Sequence, residues 1–182
     1  DVDRYNEQLS LLCNIEGAAI LQRRAQEDPE VLAIFRNHEA PSLRDVAELE
    51  ASIAALARAQ NLDDAWIWNR SAQSLADFFD HLPAESCNPD IDKPEEIRLF
   101  RIRQAMERLV LMVQRRSVFS PEAGLHSALG VNPYARFSAP MREMVGIFTH
   151  KEAVESEFAG ACALSREENA ELRKCVIESS NK

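Results

Sequence analysis

The chain has no apolar run approaching the ~20 residues that a membrane-crossing helix needs. It has no initiator methionine, and Asp1-Val-Asp-Arg-Tyr is not a signal peptide, so a processed product or a piece of a longer chain is expected. It has few cysteines: Cys13, Cys87, Cys162 and Cys175 are scattered, with no Cys-x-x-Cys pair. That reads as reduced thiols in an intracellular, reducing compartment, the cytoplasm or an organelle. Basic charge is short as well. Lysine and arginine number 21 against 30 acids, a net charge of -9. A broadly polyanion-binding surface is therefore excluded, and any RNA role must rest on local basic groups or on other domains. There is no glycine-rich phosphate loop and no serine nucleophile elbow. His38, His81, His126 and His150 show no metal-ligand spacing, so structural or capping roles are expected of them. Internal repeats and low-complexity tracts are absent too.

What is present is an ordinary globular composition, 46% hydrophobic and 28% charged, in 182 residues. That is enough for one domain with a real core. Helical periodicity dominates, and the expected fold is mostly α. Over residues 4–24, Leu9, Leu12, Cys13, Ala19 and Ile20 fall on one apolar face of a helix. Val31 to Phe35 is short and β-branched or aromatic, as in a strand. Ser42 caps a helix with apolar positions Leu43, Val46, Leu49, Ile53 and Leu56. Another helix is predicted over residues 68–81, then a proline-rich loop over 83–94. The clearest helix carries Leu99, Ile102, Met106, Leu109 and Val113. Residues 117–133 read as irregular. Pro140 suits the first turn of the next helix, with Arg142 also in that turn. Ser165-Arg-Glu-Glu168 is a capping box that starts the last helix. Trp66 and Trp68 could stack on bases, but a core position is the plainer reading. Arg101, Arg108 and Arg115 form a basic stripe, read more simply as a solvated face paired with acids than as an RNA track.

The chemistry-bearing stretch is Tyr134-Ala-Arg-Phe-Ser-Ala-Pro-Met-Arg142, with His150 beyond. An arginine at a helix mouth suits a phosphodiester, because its fork adds bidentate contacts where backbone N–H groups already favour anions. On spacing alone, a surface arginine paired with Glu143 or a neighbour is the plainer reading. The stretch nevertheless resembles the end of the RNB domain, the catalytic domain of the RNase II and RNase R exoribonucleases and of the exosome's hydrolytic subunit. There the pattern runs Tyr-x-x-aromatic-Thr-Ser-Pro-Ile-Arg, with a later histidine. His126-Ser-Ala-Leu129-Gly resembles the family's His-Phe-Gly-Leu. Phe35-Arg-Asn-His-Glu-Ala-Pro41 resembles its Tyr-Arg-x-His-x-x-Pro, and Glu7-Gln-Leu-Ser-Leu-Leu-Cys-Asn14 its Glu-Glu-x-Met-x-x-Ala-Asn. The four motifs keep the family's order over about residues 5 to 155.

The resemblance implies that this is the helical C-terminal part of an α+β RNB catalytic domain. Residues 1–160 would be a partial RNB domain lacking its aspartate-bearing N-terminal part, and residues 161–182 a C-terminal helix. The parent would hydrolyse single-stranded RNA from its 3′ end to nucleoside monophosphates. Arg142 would act on the scissile phosphate as the catalytic residue. Glu7 would hold the terminal nucleotide, and Asn14 and Tyr134 fall in the substrate-binding group, although a buried polar cap is equally expected of Asn14. Glu7 and Arg142 are then expected near one another on an open groove. The family's catalytic Mg²⁺ is held by an Asp-x5-Asp-x-Asp-Asp element that is not in this sequence, so the metal's ligands are expected outside this chain. Asn61-Leu-Asp-Asp-Ala65 only superficially mimics it, and Asp90-Ile-Asp92 lacks the spacing of a calcium loop. Glu143, Met144 and Gly146 also depart from the family pattern, and Ala139 stands where serine is usual. The expected partners are single-stranded RNA and the missing part of the RNB domain or other subunits, with no membrane. The chain alone is expected to be inactive. A catalytically inactive RNB-like module that binds RNA or protein is the alternative.

Overall fold

The computed structural model describes residues 2–83, 93–138, 142–158 and 164–182. The fold is mostly α. Six helices occur among the described residues: α1 (Val2–Glu27), α2 (Leu43–Ala59), α3 (Leu75–Asp80), α4 (Pro94–Val113), α5 (Met144–Glu157) and α6 (Arg166–Ser180). Strands β1 (Phe35–Asn37) and β2 (Val118–Ser120) pair antiparallel, with Arg36 opposite Phe119. Contacts divide the chain into two compact units, one of Asp1–Ala40 with Arg116–Lys182 and one of Pro41–Arg115. Within the first unit α6 packs through Val176 against Ile34, Val145 and Phe148. No described helix is long and apolar enough to cross a membrane.

The second unit is built as the apolar periodicity predicts. Ser42 and Asp45 form a reciprocal capping box that starts α2. Leu49, Ile53 and Ala57 then meet Ile102 and Met106 of α4 around Phe78, Trp66 and Trp68. Both tryptophans are core residues, and Trp68 Nε1 donates to the Gln73 carbonyl. The helix predicted over residues 68–81 is confined to Leu75–Asp80, because Ser74 caps Asp77 and starts the helix late. The arginine stripe on α4 is exposed and partly paired: Arg98 reaches Glu95, and Arg115 reaches Asp45. The proline-rich loop falls largely outside the described residues.

In the first unit, α1 overturns its predicted face. Leu9 (64% exposed), Leu12 (55%) and Ile20 (37%) look outward, while Asn14, Gly17, Ala18 and Leu21 are buried. The core side is lined by small and polar groups because other chain segments approach it closely. The run after α1 is extended but pairs late. Val31, Ala33 and Phe35 enter one core cluster with Ala18, Leu21 and Phe137, whereas Ile34 enters another with Val145, Phe148 and Val176. This alternation is that of a strand with both faces covered. The ladder begins only at Phe35, and the Leu32 N–H is instead met by a buried carboxylate, Glu152 Oε2, at 2.6 Å. The Ser165–Glu168 capping box starts α6 as predicted.

Candidate functional site

The four sequence elements of the resemblance converge in the first unit. Asn14 is 1% exposed, and its side-chain amide uses every donor and acceptor it has. Oδ1 accepts from the backbone N–H of Phe137 (2.7 Å) and Ser138 (2.8 Å), and Nδ2 donates to Tyr134 Oη (2.9 Å) and Ser138 Oγ (3.1 Å). The opposite side of the loop is held from α5. There the Thr149 hydroxyl lies 2.9 Å from the Arg136 carbonyl, and His150 Nε2 donates to the Phe137 carbonyl at 2.8 Å. The Arg36 N–H donates to the Tyr134 carbonyl at 2.7 Å. His38 Nδ1 lies 2.7 Å from Ser127 Oγ, and its ring stacks on His126 at 5.2 Å. His126 in turn packs against Tyr134. Burial, followed by the nearby His38 and Arg36, pushes the His126 imidazole below its usual range.

Asn14 and Tyr134 are both buried and bonded to one another, and together they hold the 134–138 loop. Glu7 is exposed and lies two helical turns before Asn14, on the same side of α1. Arg142 is exposed as well, but it is not in a helical first turn. The helix begins at Met144, and Arg142 occupies the turn ahead of it. The reason is Glu143. It is extended (φ -131°, ψ 131°) and makes no side-chain cap, because its carboxylate is bound by Arg136. Arg136 Nε and Nη2 reach the two carboxylate oxygens at 2.9 and 2.8 Å, a bidentate pair. Glu143 thus pairs with Arg136 rather than with its neighbour Arg142. Residues 139–141, including Pro140, lie outside the described residues.

The pair lines an open cleft of about 450 Å³ with Arg36, Phe119, Met144, Val145, Ser179 and Ser180. The Arg136 hydrogen bonds hold the Glu143 carboxyl below the usual carboxylate range, and the charges of Arg36 and Arg142 act in the same direction. Arg136 is correspondingly held above its usual value by Glu143. Two guanidinium groups, Arg36 and Arg136, thus line the cleft beside one carboxylate. Sequence reasoning did not single out Arg136, and only the loop's double anchoring to α1 and α5 shows why its side chain is fixed. Among the described residues, no three histidine, cysteine, aspartate or glutamate side chains converge as metal ligands. Asp63 is spent on capping Ala65 N–H.

Gly17 lets this arrangement close. A Cβ at that position would lie 2.5 Å from the Phe137 ring. Alanine gains about 1 kcal/mol in helix propensity, but overpacking of this kind typically costs about 1–3 kcal/mol. The ring cannot retreat, because both its backbone N–H and carbonyl are held. Gly17→Ala should therefore be net destabilising, by up to about 2 kcal/mol. Adding Phe137→Leu should recover part of that loss in a denaturant titration. A stabilised Gly17→Ala protein would contradict the close approach.

The fold is similar to that of Mycoplasma genitalium RNase R, solved in complex with ribose-methylated single-stranded RNA. The TM-score is 0.63 and the sequence identity 17%, over 96% of this chain and 24% of that one. This chain thus spans about a quarter of that protein's length. No family model and no curated protein sequence matches the chain.

Proposed function

We propose that this chain is the helical C-terminal part of an RNB-type exoribonuclease domain and that it handles the end of single-stranded RNA. The parent reaction would be 3′-to-5′ hydrolysis to nucleoside monophosphates, with Mg²⁺ carried outside this chain. The observation that carries the reading is the convergence on the 134–138 loop. Motifs separated by up to 124 positions, matched one by one to a single family, are joined by hydrogen bonds around Asn14. The likeness of fold to RNase R supports the same reading. In this role Arg142 neutralises charge on the scissile phosphate, and Glu7 accepts hydrogen bonds from ribose hydroxyls, which distinguish RNA from DNA. Residues 1–160 would be the partial RNB domain, and the remainder of that domain or another subunit would be the partner.

A second reading, an RNB-like module that binds RNA without cutting it, is favoured by one specific observation. Glu143, where the family pattern has a second basic residue, ties up Arg136. Fluorescence anisotropy with labelled single-stranded RNA, its DNA counterpart and duplex RNA tests both readings. The expected result is salt-sensitive preference for single-stranded RNA, weakened about tenfold by Arg142→Ala, as removal of one well-placed phosphate contact implies. Incubation of the same RNA with the chain and Mg²⁺ or Mn²⁺ should give no trimming. Equal affinity for all three nucleic acids, unaffected by Arg142→Ala, would sink the RNA-end assignment. Metal-dependent trimming abolished by a substitution within this chain would refute the inactivity and return attention to Asp63 and Asp64.

A further inference from the structure

The cleft beside Arg142 has a feature that the RNA reading does not use. Arg36 is half-buried, yet its guanidinium has no carboxylate partner among the described residues. Its Nε donates to Ser117 Oγ at 2.9 Å, and its Cζ lies over the Phe119 ring, 5.8 Å from the centroid. These contacts fix the group without neutralising it. A half-buried cation is costly unless an anion meets it. The acid that lines the cleft is Glu143, and that carboxylate is already held in two short bonds by Arg136. One anion therefore serves two lining arginines, and it satisfies only one of them geometrically. Ser180 adds a hydroxyl to the same wall, and Phe119, Met144 and Val145 supply an apolar side.

We propose that this cleft is a phosphate-binding site in which Glu143 holds the place of the ligand: an incoming phosphate displaces the Glu143 carboxylate from Arg136 and is shared between Arg136 and Arg36. The guanidinium forks match phosphate oxygens as they match a carboxylate. A phosphate carries more charge and more acceptor oxygens than the glutamate, so it can satisfy both arginines at once. The cleft's volume leaves room beyond the phosphate for an attached group against Phe119 and Met144. Glu143 then acts as a built-in competitor that sets a threshold concentration for the ligand. The inference rests on the cleft alone and stands or fails whether or not the chain degrades RNA.

Isothermal titration with inorganic phosphate, and separately with adenosine 5′-monophosphate, tests it on the full chain. Glu143→Gln keeps the size of the side chain and removes the competing charge. Both probes should bind this variant about tenfold more tightly than the unaltered protein, the scale of one charge-assisted bidentate pair released. Adding Arg36→Gln to Glu143→Gln should remove that gain, with circular dichroism confirming that the fold is kept. The gain expected from Glu143→Gln alone does not depend on the second variant folding. Unchanged affinity of Glu143→Gln for both probes would overturn the proposal. So would a folded Glu143→Gln/Arg36→Gln protein that retains the full gain.

Discussion

Asn14→Ala is expected to lower stability by about 3–5 kcal/mol, among the largest effects of any single substitution in this chain. Removing the amide strips partners from two backbone N–H groups and two hydroxyls in a place that is 1% exposed. Each buried group left unsatisfied costs about 1–3 kcal/mol, and the smaller side chain also leaves a void. Asn14→Asp should be milder. Its two oxygens still accept from Phe137 and Ser138, and the Tyr134 and Ser138 hydroxyls can turn to donate to it. Urea unfolding followed by far-ultraviolet circular dichroism measures both variants. Equal losses for alanine and aspartate would mean that packing, rather than the hydrogen bonds, sets the value. The consequence reaches the site, because the 134–138 loop that Asn14 anchors carries Arg136, whose guanidinium holds Glu143. Where Asn14→Ala remains folded, its binding to single-stranded RNA should fall as well.

How much of this was legible in the sequence differs between the two units. The second unit was readable because its signals are local. Ser42 with Asp45 makes a cap, and the spacing of Leu49, Ile53, Ile102 and Met106 marks faces that do become core. In α1 the same rule failed. The apolar residues Leu9, Leu12 and Ile20 are exposed, and the buried face is Asn14, Gly17, Ala18 and Leu21. Periodicity counts hydrophobic side chains, but this face is chosen by what approaches it: a ring needs the space at Gly17, and a loop needs the amide of Asn14. A polar residue followed one turn later by glycine was the available signal. The motif resemblance located the segments that meet, and of the two readings open for Asn14 the buried polar cap is the one its bonds to Tyr134 and Ser138 display. The Arg136–Glu143 pair was not legible. It depends on a loop held from both sides, and it engages Glu143, the extended residue just ahead of the α5 start at Met144.

Glu152→Ala is the other substitution expected to cost about 3–5 kcal/mol, the range for removing one member of a buried charged network. The Glu152 carboxylate is 3% exposed and every partner it has is a donor. Leu32 N–H reaches it at 2.6 Å, Asn169 Nδ2 at 2.8 Å and Lys151 Nζ at 2.9 Å. Lys151 also reaches Glu155 at 2.7 Å and Asn169 Oδ1 at 3.0 Å. Burial, the largest single influence on that lysine, works against its charge. Its hydrogen bonds to Glu155 and Glu152 outweigh burial and hold it above the usual range. The network thus does the work of a missing strand. Residues 31–35 run extended between two cores without a ladder partner at Leu32, and a side chain from α5 supplies the acceptor. Glu152→Gln separates charge from shape. It keeps the volume, but its –NH₂ must face one of three donors, so it should still lose about 2–3 kcal/mol. Denaturant midpoints for the two variants, with hydrogen exchange at the Leu32 amide, decide the matter. The amide should exchange markedly faster in both. A Glu152→Gln protein as stable as the original, with Leu32 still protected, would show that the backbone N–H there finds its acceptor elsewhere.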